Sequence, residues 1–337
     1  MAFFRIGGYI LSASFSSSLL KKYLYLSSEE TSRQFLFHTY NKRKIIDAKK
    51  KSYENSFSFI SYIEQGITFF EQTERSSLNI KPILLFYGLV FLLKACVLSV
   101  DPDYPESSLV LAHGVSTRKR KKQNYIYLKD EVKLQKNGLF PHFSDKMFHM
   151  KHLEGKKFTV ESLLKEIPEL IDYFTIWTGH NHGLPIDYDG KYFSLPESVL
   201  DFFKMTSDRF KTFFQSNTNK NIQFIGDPSI IKFYIEENQS TITEVLPFRF
   251  HIEKHSYFLL QNDKKLSFYP ELMIHYLILY HLGMIARYEI EWWSELIHHK
   301  PSIEYPLIVQ YLNISTKKIP FLIDQYLWSY FHGQNKF

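Results

Sequence analysis

The stretch Pro82–Val100, PILLFYGLVFLLKACVLSV, holds a single charged residue in nineteen, and its reading decides what kind of molecule this is. A run of that length nearly matches the hydrocarbon thickness of a bilayer. Lys94 sits well inside it, where a membrane helix would bear a cost of about 2.5–3.5 kcal/mol. Phe86, Tyr87 and Gly88 supply the mixture of large and small shapes that interlock inside a protein. The run is therefore expected to be a buried core helix and no transmembrane segment. Pro82 suits its first turn, and Asp101-Pro102-Asp103-Tyr104-Pro105 ends it, because proline cannot continue a helix.

On either side the pattern stays helical. Apolar residues recur at helical spacing through Ser18–Leu26 (SLLKKYLYL) and Phe57–Thr73 (FSFISYIEQGITFFEQT), the latter with Asn55 or Ser56 as its expected cap. Thr159–Trp177, Pro196–Gln215 and Glu271–His299 read as helices too. The texture changes between about Asn221 and Phe268, where β-branched and aromatic residues alternate with polar turns, as in IIKFYI and FRFHIE. Val132 and Leu134 alternate before Asn137-Gly138, a pair that tolerates positive φ and predicts a hairpin turn. The expected fold is mainly α, a multi-helix globular α+β protein with a small antiparallel β-sheet insertion. Residues 1–215 would form a helical lobe with a basic hairpin near 116–143, residues 216–270 the sheet, and residues 271–337 helices packing back on the first lobe.

With 337 residues, 45% of them hydrophobic and 17% aromatic, the chain can bury a sizeable core. Its one cysteine, Cys96, allows neither an intrachain disulfide nor a cysteine zinc site. The opening MAFFRIGGYILSASFSSS has one early charge, an interrupted apolar stretch and no small-residue cleavage site, so a cytoplasmic protein is expected rather than a secreted one. The net charge of +6 is concentrated in two segments. Ser116–Lys136 holds +6 and Asn41–Ser52 holds +5, which leaves the remainder acidic.

The first basic segment carries the most pointed functional signal, LAHGVSTRKRKKQNY, Leu111–Tyr125. Arg118, Lys119, Arg120, Lys121 and Lys122 can neutralise several phosphates by counterion release, with Ser116 and Thr117 as hydroxyl donors, unless the run is only a solvated loop. His113, just ahead, is the acid–base candidate for a phosphodiester, or else a turn-capping residue. Arg287 sits in an otherwise apolar helix and needs a partner, either a carboxylate such as Glu289 or Glu291 or a bound anion. Arg33 and His38 match the Arg-x4-His spacing of HEPN-type ribonucleases, yet five residues on a regular helix leave the side chains about 140° apart. His180 and His182 form a His-x-His pair with no clear third ligand, so no metal is expected. No cofactor is expected either, since the Walker A, GxSxG, GxGxxG and HExxH patterns are missing.

Three blocks carry a family resemblance. KPILLFYGLVFLLKA from Lys81, the stretch from Asp101 to Phe143, and LGMIARYEIEWW from Leu282 together resemble the Bacillus-type YaaC-like proteins. The resemblance is strongest over Lys81–Phe143 and Tyr280–Trp293. It implies a cytosolic protein and carries over no activity and no catalytic residues. The residues themselves support two readings. The first is a protein that binds nucleic acid or nucleotide phosphates through His113–Lys122 and Arg287, with HEPN-like phosphodiester chemistry as its enzymatic form. The second is a non-catalytic scaffold that docks an acidic protein partner. A membrane-surface role is disfavoured, because neither basic segment shows a clear apolar face in its spacing.

Overall fold

The computed structural model describes residues 5–6, 9–10, 17–117, 125–218, 221–225, 231–236, 246–261 and 266–329. The fold is mainly α with small antiparallel sheets, and it divides into two compact units. One takes Met1–Phe158 and His275–Phe337, the other Thr159–Ile274. In chain order the first unit opens with strands β1 (Arg5–Ile6) and β2 (Tyr9–Ile10) and helices α1 (Ser17–Tyr25), α2 (Glu29–Lys42), α3 (Ala48–Arg75) and α4 (Lys81–Val100). Strands β3 (Val115–Thr117) and β4 (Glu131–Leu134), helix α5 (Leu139–Phe148) and strand β5 (Lys157–Thr159) follow. The second unit holds α6 (Val160–Leu164), α7 (Ile171–Thr178), β6 (Gly183–Tyr188), β7 (Tyr192–Leu195), α8 (Ser198–Phe203) and α9 (Ser207–Asn217). It continues through β8 (Ile222–Ile225), β9 (Ile231–Ile235), β10 (Phe248–His251) and β11 (Ser256–Leu260). Helix α10 (Glu271–Tyr288) leads back to the first unit, which closes with α11 (Ile290–His299) and α12 (Glu304–Trp328).

Helix α4 is the axis of the first unit. It is the one described helix long and apolar enough to cross a membrane, and 72% of its most apolar window lies buried in protein. Helices α2, α3, α5 and α12 pack against it. The approach of α3 is close because both helices spend a glycine on it. A Cβ on Gly66 would stand 2.6 Å from Leu92, and one on Gly88 would stand 2.9 Å from Phe70. Helix α3 runs unbroken through Asn55 and Ser56, so neither caps a helix. Asn55 instead donates to the Tyr40 hydroxyl and to the Pro102 carbonyl, tying α3 to α2 and to the segment after α4.

The strand through Val132 and Leu134 pairs backwards in the chain, β4 with β3, with Val115 opposite Leu134 and Thr117 opposite Val132. Asn137-Gly138 is not its turn. Gly138, at φ 125°, precedes α5 and lies so close to Gly114 that a Cβ would collide with the Gly114 backbone. Positive φ at this position serves a backbone crossing rather than a hairpin tip.

In the second unit six strands form one sheet in the order β10-β11-β6-β7-β9-β8, every registered pair antiparallel. The sheet expected over 216–270 thus also takes β6 and β7 from 183–195. Phe193, Phe233 and Phe248 on its inner face pack with Val199, Phe203, Phe210 and Phe214 of α8 and α9. Arg249 is buried in this unit and donates to Glu166 at 2.7 Å, while Ser267 donates to the other carboxylate oxygen.

Candidate anion site

Three elements of the first unit bring cations and aromatic rings together. On α4, Tyr87, Phe91 and Lys94 stand four and three residues apart on one helical line, and all three are half-buried. On α10, Tyr280 and Arg287 share a line two turns long. Between these helices lies His113, in the segment that enters β3.

The backbone fixes His113. Its carbonyl accepts from the Tyr276 hydroxyl at 2.9 Å and from the Phe140 amide at 3.1 Å. Gly114, at φ 78°, then turns the chain against Gly138. The imidazole packs edge-to-face on Phe86 at 5.0 Å, Tyr280 at 5.7 Å and Tyr87 at 6.3 Å between ring centroids. Burial, and then the charges of Arg287 and Lys94, hold its pKa below the ordinary 6.5, so the ring is neutral at physiological pH.

Arg287 has neutral partners. It donates to the Gly283 carbonyl, the Tyr87 hydroxyl at 3.3 Å and the Met284 sulfur, and its guanidinium lies 5.3 Å from the Tyr288 ring. The carboxylate anticipated at Glu289 or Glu291 does not pair with it. Lys94 lies 5.3 Å from the Phe91 ring and 5.7 Å from Tyr62, and burial lowers its pKa. Among the described residues no ion pair involves Arg287 or Lys94. Two cations therefore act on a neutral imidazole, and among the described residues neither is paired with a carboxylate. A group of this charge and polarity favours an anion whose oxygens take the unused guanidinium, ammonium and imidazole hydrogens.

The arrangement joins His113 and Arg287, and adds Lys94, Tyr87 and Tyr280, which sequence reasoning missed. Ser116 and Thr117 are half-buried on β3, and Ser116 accepts from the Gln135 amide. Arg118, Lys119, Arg120, Lys121 and Lys122 lie outside the described residues, in the connection between β3 and β4. The far root of that connection is anchored. Asp130 accepts from Tyr125 and from the Glu131 amide and meets His281 of α10 at 2.8 Å, with both side chains of the His281–Asp130 pair 1% exposed. Burial alone would raise the Asp130 pKa, but His281, the Glu131 amide and the Tyr125 hydroxyl outweigh it and hold the carboxyl below its ordinary range. Tyr125 and Tyr127 also pack on Trp292 of α11.

The structure does not bring Arg33 and His38 to one point on their helix. Helix α2 is continuous from Glu29 to Lys42, and Arg33 engages Glu29 and the Tyr53 ring. In the second unit His182 bonds the Thr178 hydroxyl at 2.7 Å. Among the described residues no cluster of three His, Cys, Asp or Glu stands ready for a metal.

No curated protein and no solved structure matches this chain. A family model described as YaaC-like Protein matches residues 24–327, nearly its whole length. That span contains α2 through α11, the β3–β4 pair and all the residues of the cationic cluster, and the chain belongs to the YaaC-like protein family.

Proposed function

We propose that this protein binds nucleic acid or nucleotide phosphates in the cytosol, with the run Arg118–Lys122 on the phosphate backbone and the His113–Lys94–Arg287 cluster on one phosphate beside it. One observation carries the reading: Arg287 and Lys94 stand half-buried next to His113 with only neutral partners. Structural arginines inside proteins pair with carboxylates, because an uncompensated charge away from water is costly. Tyr87, Tyr280 and the neighbouring rings add faces on which an unpaired base stacks. Ser116 and Thr117 lead directly into the basic run. His113, neutral and close to both cations, is the acid–base candidate if the bound phosphodiester is also cleaved, with Arg287 and Lys94 stabilising the charge that develops on phosphorus oxygens. The HEPN-like version that uses Arg33 and His38 draws no support from the continuous helix α2.

The test is binding of labelled single-stranded RNA and DNA across a salt series. Wild-type protein is compared with Arg287→Gln and with a variant neutralised at Arg118–Lys122. Binding with a steep salt slope that flattens in the neutralised variant supports the reading. Absence of binding at low salt overturns it and leaves the docking of an acidic protein as the use of the basic run.

A further inference from the structure

The N-terminal turns of α3 expose two aromatic rings among their lysines. Lys49, Lys50, Tyr53 and Phe57 follow one another along the outward line, with Ile46 in the turn just ahead, and all are exposed: Ile46 82%, Phe57 79% and Tyr53 63%. Farther along, the inward line is ordinary, with Phe59, Ile63 and Phe70 buried, but in these first turns it holds Ser52 and Ser56, which are buried and spend their hydroxyls on carbonyls of their own helix. Over these turns the rings lie outward and the hydroxyls inward, the reverse of the usual surface pattern. On the adjoining α2, Phe37 is 40% exposed, and the Arg33 guanidinium lies 5.2 Å from the Tyr53 ring. Single exposed apolar residues are ordinary, but three rings and an isoleucine on one helical hairpin are not.

The same hairpin carries the second basic segment, Asn41–Ser52, with a net charge of +5. Lys50 reaches Glu54 at 3.8 Å and Lys51 reaches Asp103 at 2.9 Å, while Asp47 is exposed in the turn. Lys44 and Lys49 are exposed and have no ion pair among the described residues. Positive charge therefore predominates around the apolar residues, with Asp47 and Glu54 as the carboxylates among them.

We infer that the α2–α3 face docks on an anionic lipid surface, with Ile46, Phe37, Tyr53 and Phe57 entering the headgroup layer and the lysines resting on lipid phosphates. The chemistry favours lipid over a nucleic-acid strand. Ile46, the most exposed of the four, offers no ring face for a base, whereas a headgroup layer accepts aliphatic and aromatic side chains together. A basic patch and a shallow apolar insertion are each weak anchors and combine into a reversible one. The spacing of the sequence hid this face because lysines separate Ile46 from Tyr53 and Phe57, and Phe37 belongs to a different helix. The inference is independent of the phosphate-binding reading and uses no residue of the His113 cluster.

The test is flotation of the full-length protein with two kinds of vesicle, phosphatidylcholine alone and phosphatidylcholine mixed with phosphatidylserine. The expected result is partitioning onto the mixed vesicles only, weakened by salt. It should fall about tenfold or more in Ile46→Ser/Phe57→Ser and in Lys44→Gln/Lys49→Gln. Because all four residues are exposed, the circular dichroism and melting of both variants should match wild type. Three results would overturn it: no partitioning onto the mixed vesicles, equal partitioning onto both kinds, or partitioning unchanged in the serine variant. A wild-type protein that self-associates in sedimentation and ignores vesicles, with the serine variant monomeric, would make the face an interface between copies. Loss of oligonucleotide binding in the serine variant with vesicle binding intact would assign it to nucleic acid instead.

Discussion

His113 is the residue whose charge state reports on the cluster around it. Facing it are Lys94 and Tyr87 of α4 and Tyr276, Tyr280 and Arg287 of α10, while α5 contributes the Phe140 amide. Its pKa in the folded chain is below 6.5, so the unfolded chain takes up the proton first as pH falls. Its contribution to stability is complete above about pH 6.5 and is lost as pH falls through the lower folded value. A bound anion reverses the balance by favouring the imidazolium. Affinity for an oligonucleotide without a terminal phosphate should therefore rise as the pH is lowered from neutral into that window. In His113→Gln the pH profile should be flat, which fluorescence anisotropy can read. Arg287→Gln should reduce affinity about tenfold or more, because a charge-assisted hydrogen bond contributes about 1.5–3 kcal/mol. Its melting temperature should hold, since the partners it gives up are neutral.

At the scale of elements, the connection that carries the basic run is held at both roots, by β3–β4 pairing at one end and by Asp130–His281 at the other. Asp130→Asn takes away the carboxylate that the buried His281 ring, the Tyr125 hydroxyl and the Glu131 amide all meet, and should cost about 1–3 kcal/mol in urea unfolding. Because the Asp130 pKa is lowered in the folded chain, its stabilisation is present above the usual carboxylate range and disappears as pH falls through the folded value. The α3–α4 approach is as demanding: Gly66→Val should cost about 1–3 kcal/mol, because the buried Leu92 has little room to yield. How much of this the residues announced in advance depended on distance along the chain. Pro82–Val100 was legible as a helix, which α4 is, because apolar composition and a proline at the first turn are local signals. His113 and Arg287 were legible as candidates, since a histidine before a basic run and an arginine in an apolar helix stand out where they are. Lys94 and Tyr87 were not, because a helix apolar on nearly all sides does not say which line faces outward. Asp130 and His281 are 151 residues apart, and nothing near either one points to the other. Asn137-Gly138 misled for the same reason: its positive φ answers to Gly114, not to a local turn.

On the scale of the whole molecule, each unit keeps its own buried carboxylate, Asp130 in the first and Glu166 in the second. In the second, Glu166 is fully buried beneath Arg249 and Ser267. Glu166→Gln removes the carboxylate from a buried ion pair and should lower stability by about 3–5 kcal/mol, with faster amide exchange in β10 and β11 as the local readout. The first unit is discontinuous in the chain, and that has a consequence during synthesis. Helix α12 packs on α4, yet about 200 residues separate the end of one from the start of the other. At about 5–20 residues per second, α4 emerges from the ribosome roughly 10–40 s before the helix that completes its cover. A nascent chain stalled within that interval displays a long apolar helix, the feature by which chaperones and membrane-targeting factors sort unfinished proteins.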